Sequence, residues 1–485
     1  MTETTETTPS APILAPPERL APESRLVISL LLVSAFVVIL NETIMGVALP
    51  RIMADLGIGP SAGQWLTTAF MLTMAVVIPV TGYLLQRLAT RPVFAAAMSL
   101  FSLGTLLCAL APGFPALVVG RVVQASGTAI MMPLLMTTVM TLVPPALRGR
   151  TMGNISIVIS VAPALGPTIS GLILSALSWR AMFWIVLPIA LAALTLGLAR
   201  VRNVSTPRPG SIDVASVVLS ALAFGGLVYG LSTFGTGGAG TATWAPLAGG
   251  AVALVAFVLR QLALQRRDAA LLDLRTFASP QFAVSVGLMA LLTAALFGTI
   301  ILVPIYTQNV LGLEPLATGL LLLPGGLLMG LLGPVVGRVY DRRGPRLLVV
   351  PGALVVSAVL WSLTRLSTDT PVPAVLAAHM ALCLGLALLF TPLFTTALGS
   401  VRPALYSHGS AVLGTAQQLA GAAGTALFVV VMSTRAAALA GTTASDAAAL
   451  AGGVRAAFLC GAVLSLLVVV AAFFIRRPAD ATAPA

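Results

Sequence analysis

One glutamate stands where an acid is costly. Between Leu26 and Pro50 the chain is almost wholly apolar, and Glu42 is the one charged residue within the run. The other acids fall near the start of the chain, in polar stretches or at the edges of apolar ones. A carboxylate deep in a bilayer costs at least ~2.5 kcal/mol even on lenient insertion scales. Desolvation favours its neutral form, so such a group can load and release a proton. The plainer alternative is a glutamate held permanently protonated by a neighbouring helix. Arg121 is the one arginine well inside an apolar run. It cannot shed its proton, so it needs a carboxylate, carbonyls or water nearby. Glu42 is its natural electrostatic partner, and the approach of the two would favour the ionised acid. A clasp from Arg121 to the carbonyls of another helix is the alternative.

Other polar side chains could hold a small molecule. Asn41 and Met45 are spaced i, i+4 and share a helical face. Gln124, Tyr306, Gln308, Gln417 and Gln418 add amide and phenol groups that hydrogen-bond without charge, and Met suits an adaptable pocket. Residues of these kinds more often pack or join helices. Gly166-Pro167, with Gly171 beyond, strips side chains from one helical face and frees a carbonyl, which suits either a flexing seam or tight packing. His379 and His408 have no ligand partners nearby in sequence, and Cys108, Cys383 and Cys460 sit singly in apolar runs, so neither a metal nor a disulfide is expected. The chain shows no phosphate-binding Walker loop, zinc spacing or nucleophile elbow. An enzyme and a bound cofactor are both unexpected.

These residues must be positioned by membrane helices. Hydrophobic residues make up 58% of the chain and charged ones 8%, too little charge to cover a soluble domain of 485 residues. Apolar runs long enough to cross the roughly 30 Å hydrocarbon layer fall at about 26–50, 63–86, 92–111, 115–143, 150–176, 181–200, 213–232, 246–265, 281–307, 316–338, 346–365, 373–399, 406–434 and 455–475. The ~10-residue alternation of a β-barrel is absent. The formal charge of +12 comes from arginine, since there is no lysine. With the N-terminal tail inside, roughly 20 arginines face the cytoplasm and about 5 face outward, so the charge orients the chain and does not point to nucleic acid. Both termini are then cytoplasmic. The start, polar and rich in Pro and Thr, does not read as a cleavable signal. Arg266 to Pro280 reads as an amphipathic segment along the inner surface.

One passage occurs twice. Gly82-Tyr-Leu-Leu-Gln86-Arg87-Leu-Ala89-Thr-Arg91 follows the second span, and Gly337-Arg-Val-Tyr-Asp341-Arg342-Arg343-Gly344-Pro-Arg346 follows the tenth. Related turns in two halves imply a duplication, with two bundles rocking about a central site. The expected organisation is a disordered cytoplasmic tail (1–24), a six-helix bundle (25–200), a linker carrying two extra spans (201–280), a second six-helix bundle (281–476) and a short tail (477–485).

At these residues the chain resembles the major facilitator superfamily, in particular its fourteen-span drug:proton antiporters. The second turn fits the family's G-x-x-x-D-R-x-G-x-R loop throughout, whereas the first has Gln86 for aspartate and Ala89 for glycine. Leu40-Asn41-Glu42-Thr43-Ile44 ahead of Val47-Ala48-Leu49-Pro50 is similar to the lincomycin-resistance branch. Leu117-x-x-x-Arg121-x-x-Gln124 resembles the family's arginine motif, and Gly153…Ala162-x-x-x-Gly166-Pro167-x-x-Ser170-Gly171 its antiporter motif, with Ala162 and Ser170 replacing glycines. The resemblance implies an all-α major facilitator fold and a monomeric multidrug exporter of the inner or plasma membrane. It implies exchange of lipophilic, drug-like molecules for protons among membrane lipids, driven by the proton gradient. Glu42 and Arg121 would couple the proton. Arg87, Arg91, Gly166, Pro167, Gly171, Asp341, Arg342, Gly344 and Arg346 would serve the conformational change. Export of a lipid or an endogenous natural product keeps the same fold. A membrane sensor is the third reading, and no segment here is long enough for its output domain.

Overall fold

Apolar segments of this length have one way to satisfy their backbone polar groups in a bilayer short of a closed barrel: every N–H must bond within its own helix. The chain does this fourteen times, in a computed structural model that describes residues 20–204, 207, 210, 212–234, 240–441 and 445–478. The helices are α1 (Pro22–Leu56), α2 (Pro60–Arg87), α3 (Thr90–Leu110), α4 (Phe114–Leu142), α5 (Arg148–Ala176), α6 (Arg180–Arg200), α7 (Val214–Phe234), α8 (Thr241–Leu264), α9 (Pro280–Asn309), α10 (Pro315–Arg343), α11 (Arg346–Leu363), α12 (Val372–Gly399), α13 (Tyr406–Leu439) and α14 (Asp446–Ala472). Each is long and apolar enough to span a membrane. No strand occurs among the described residues.

The boundaries follow local chemistry. Proline opens α1, α2, α9 and α10, where its missing N–H costs nothing. Ser279 accepts a hydrogen bond from the Phe282 N–H and caps α9. Ser445 does the same for α14 through the Ala448 N–H, which is why that helix starts nine residues ahead of the expected 455. α1 begins at Pro22, inside the expected tail. Residues 1–19 and 479–485, the rest of the two expected tails, lie outside the described residues.

Two six-helix bundles result. In the first, α1 packs on α4, α5 and α6, α2 on α4, and α3 on α4 and α6. In the second, α9 packs on α12, α13 and α14, and α12 on α10 and α11. α7 and α8 pair with each other, and α7 lies against both α2 and α13. Trp65 of α2 and Tyr229 of α7 meet there at 5.7 Å between ring centroids.

The bundles meet along α5–α10 and α2–α13. Glycine makes the first contact possible: a methyl on Gly153 would fall on the Gly333 carbonyl, and one on Gly337 on the Gly149 carbonyl. Polar contacts between the bundles cluster toward the end bearing Arg87, Arg148, Arg342 and Arg476, the basic end. Thr137 and Ser410 hydroxyls lie 2.9 Å apart, and those of Ser156 and Thr391 2.6 Å. Gly153→Val should therefore force the seam apart at about 1–3 kcal/mol, the usual cost of overpacking. The expected result is increased labelling of a cysteine at Ser156 by a thiol reagent, with the isolated bundles still folded. Unchanged labelling would mean the seam absorbs the extra volume.

The segment from Arg266 to Pro280, expected as an amphipathic segment along the inner surface, is not a continuous helix. It forms two short 3-10 turns, Gln265–Arg267 and Leu274–Ala278, separated by an irregular stretch with Asp268 at positive φ. Gln261 explains this: its side-chain Oε1 accepts from the Leu271 and Leu272 N–H groups, and its Nε2 donates to Ser216 Oγ. Ala270, Leu271 and Leu272 are consequently buried. Next to this anchor Arg260 grips Asp213 at 2.7 and 2.8 Å. The Arg260 hydrogen bond, aided by Ser216, holds the Asp213 carboxyl well below the usual carboxylate range. This clip is therefore fully formed at neutral pH and weakens only as pH falls through that lowered value.

Candidate functional site

Glu42 lies halfway along α1, and Arg121 lies in the second turn of α4. Arg121 is 1% exposed, so every polar hydrogen it carries needs a partner. Its Nη1 donates to Gln124 Oε1 at 2.7 Å, one helical turn away. The Gln124 amide in turn donates to Thr105 Oγ1 at 2.8 Å, and Thr105 to the Phe101 carbonyl at 2.7 Å. Nε of Arg121 reaches the Leu66 carbonyl of α2 at 3.5 Å, and the guanidinium lies 4.0 Å from the Phe70 ring centre. Gly104 permits this arrangement, since a side chain there would collide with the Gln124 backbone.

The charge on Arg121 is thus cradled by neutral groups. Glu42 is half-buried and within electrostatic reach of Arg121, but among the described residues no ion pair joins them. Arg121 therefore bonds to the Gln124 side-chain oxygen and the Leu66 carbonyl rather than pairing with Glu42. A buried charge satisfied by dipoles keeps its field in a way that a close ion pair does not.

α5 presses on α1 beside the acid. A methyl on Gly166 would fall on Thr43 Oγ1, whose hydroxyl donates to the Leu40 carbonyl at 2.9 Å. Pro163 and Pro167 lie inside α5, which runs unbroken to Ala176. Gly166-Pro167 consequently sits at the contact between the helix that joins the bundles and the helix that carries Glu42. Gly171, by contrast, faces open space in this conformation.

The expected small-molecule contacts separate. Gln124 is committed to Arg121 and Thr105, and the Tyr306 hydroxyl donates to the Ser367 carbonyl at 2.6 Å, tying α9 to the loop after α11. Met45 packs into an apolar cluster with Ile52, Leu66, Cys108 and Trp179. Gln308, Gln417 and Gln418 are half-buried. Asn41 Nδ2 and Gln418 Nε2 are buried without a protein acceptor, so each has a hydrogen bond left to offer.

At the basic end Asp341 lies on the last turn of α10, not in a turn between helices. Its two oxygens accept from the Gly149 N–H at 2.7 Å and the Arg150 N–H at 2.8 Å, the first residues of α5. A carboxylate on a helix N-terminus satisfies orphan donors and complements the helix dipole. Arg342 and Arg346 project outward, and Gly344 holds φ +79, a conformation that favours glycine. The first copy works differently: Gln86 donates through Nε2 to the Ala404 carbonyl at 2.9 Å, just ahead of α13. Arg87 lies 4.9 Å from the Tyr83 ring centre and donates to the Asp268 carbonyl, and the Arg91 N–H donates to Asn203.

A second echo went unread in the sequence. Pro145-Ala146-Leu147 before α5 and Pro403-Ala404-Leu405 before α13 form matching 3-10 turns, and Arg148 stands 5.5 Å from the Tyr406 ring centre. The repeated tripeptide was the available signal. A clip at the opposite end was also missed: Asp55 accepts from Trp179 and Arg180, both at 2.9 Å.

Comparison with known proteins agrees with this architecture. The sequence profile described as Major Facilitator Superfamily matches residues 31–425. The chain is 39% identical over 457 residues to the lincomycin resistance protein LmrB of Listeria monocytogenes, covering 93% of this chain and 96% of that protein. It is 40% identical over 453 residues to the uncharacterized MFS-type transporter YcnB of Bacillus subtilis, covering 93% and 95%. A multidrug resistance protein B homolog of Mycobacterium tuberculosis is 30% identical over 399 residues, 81% of this chain and 73% of that one. In fold, the chain is similar to the human organic anion transporter MFSD10, with TM-score 0.66 at 15% identity over 93% of this chain and 100% of that one. The proton:xylose symporter XylE superposes with TM-score 0.62 at 16% identity over 94% and 96%. With fourteen membrane-spanning helices in two bundles and an inserted pair, the chain belongs to the Major Facilitator Superfamily and is a transporter, not an enzyme.

Proposed function

We propose that this transporter exports lipophilic, drug-like molecules in exchange for protons, with Glu42 as the proton carrier. The observation that carries the reading is the placement of Glu42: a half-buried carboxylate inside α1, beside the α5 seam, within electrostatic reach of an arginine that enters no ion pair among the described residues. In the proposed cycle this acid alternates between protonated and ionised states as movement of α5 against α1 changes its surroundings. The names of the relatives, lincomycin resistance and multidrug resistance, support drug-like cargo.

In this reading the basic end faces the cytoplasm and is closed. Rocking of the bundles would open it by parting Asp341 from α5 and Gln86 from Ala404. The orientation is tested with one added cysteine at a time in a Cys460→Ser background, in which the remaining Cys108 and Cys383 are buried. Thr368→Cys, exposed in the loop after α11, should react with an impermeant thiol reagent outside intact cells, and Leu88→Cys at the basic end should not. Equal reaction at both positions would invert or abolish the orientation.

Cargo is tested by a susceptibility panel in a strain lacking other exporters. Expression should raise resistance to several lipophilic drugs. No change for any drug, together with a membrane lipid appearing in the opposite leaflet, would replace drug export with lipid export.

A further inference from the structure

At the basic end a cavity of about 650 Å³ opens where three parts of the chain meet. Gln86 and Arg87 reach it from the end of α2, Arg267 and Arg275 from the loop after α8, Arg402 from the turn before α13 and His408 from the start of α13. Among the described residues the wall holds four arginines and two aspartates, a surplus of two positive charges. Both aspartates, Asp268 and Asp273, are already bonded to Arg275, with Asp273 Oδ2 2.6 Å from its Nη2. Arg267 and Arg402 are exposed on the wall and, among the described residues, enter no ion pair or side-chain hydrogen bond.

Orientation in the membrane explains arginines scattered over loops, but not their convergence on one cavity from distant parts of the chain. Guanidinium forks match the tetrahedral oxygens of phosphate in geometry and charge. Basic pockets between membrane helices are of the kind that hold phosphorylated headgroups. We propose that this cavity binds a phosphate-bearing group, from an anionic lipid headgroup or a soluble phosphate ester, and that the bound group ties the end of α2 to the start of α13. Arg87 and Arg402 belong to opposite bundles, so the complete site exists only while the basic end is closed. By linkage, the ligand favours that closed conformation.

The test measures binding, not transport. Wild-type protein in phosphatidylcholine nanodiscs is titrated with glycerol 3-phosphate, and in a second arm phosphatidylglycerol is added to the disc with no soluble phosphate. Thermal stability and native mass spectrometry report binding. The expected result is stabilisation in at least one arm, weakened roughly tenfold or more by Arg267→Gln with Arg402→Gln. Arg267→Lys with Arg402→Lys should retain much of the response and shows that the charge, not the fold, is at issue. Arg266→Gln, an exposed arginine outside the wall, should behave as wild type. A response in the lipid arm alone makes the membrane the source, and one in the soluble arm alone makes it a phosphate ester. No response by the wild type in either arm overturns the proposal. An undiminished response in the glutamine pair, or an equal loss in Arg266→Gln, overturns it as well.

Discussion

Glu42→Gln protein in liposomes is expected to lose accumulation driven by a proton gradient entirely, while passive downhill exchange of the same substrate survives. Glutamine nearly preserves volume and mimics the protonated acid, and removing a charge from α1 eases its burial, so the variant should fold and insert. Arg121 does not depend on Glu42 for its hydrogen bonds, which go to Gln124 and the Leu66 carbonyl. The substitution should therefore leave α4 in place and alter the titrating group alone. A group that cannot titrate cannot link two gradients. The measurement is uptake of a fluorescent substrate under an imposed pH difference. Accumulation at the wild-type rate would remove Glu42 from the mechanism. Loss of binding together with transport would make it a counter-ion for a cationic substrate.

Asp341→Asn should slow transport about 5- to 30-fold while leaving substrate affinity within about twofold. Two backbone N–H groups at the start of α5 converge on this carboxylate, and bonds to a charged acceptor are worth roughly twice those to a neutral one. Asparagine can accept one of them through oxygen but turns an N–H donor toward the other. A loss of about 1–2 kcal/mol in the closed state corresponds to this range of rate. Gln86→Asn removes one neutral, partly exposed bond to the Ala404 carbonyl and should cost less than about threefold. The turnover ratio of the two variants in one vesicle preparation is the readout. Equal damage at both positions would refute the asymmetry of the two turns.

The length and order of the helices were legible in the sequence, because a bilayer leaves an apolar run of about 20 residues little alternative. Proline at N1 and serine caps are equally local, and where a cap was overlooked, at Ser445, the boundary of α14 moved by a full two turns. The cost of burying Glu42 and Arg121 was legible for the same reason, since it depends on depth in the membrane and not on neighbours.

The tertiary structure decided everything that depends on distant partners. Gln124 looked like a substrate residue until Arg121 and Thr105 claimed both ends of its amide, and a glutamine on a helix gives no sign of which neighbour it will meet. Asp341 looked like part of a turn, yet it caps a helix 192 residues away, a pairing made by the fold's duplication and invisible to any local pattern. The segment after α8 looked amphipathic because its apolar residues are real, and Gln261 holds some of them inward by bonding their backbone, so the segment folds as short turns. Hydrophobic length is a property of a segment and survives in one dimension. Hydrogen-bond partners and the field between Glu42 and Arg121 depend on separation in space, which the packing of α1 against α4 and α5 alone sets.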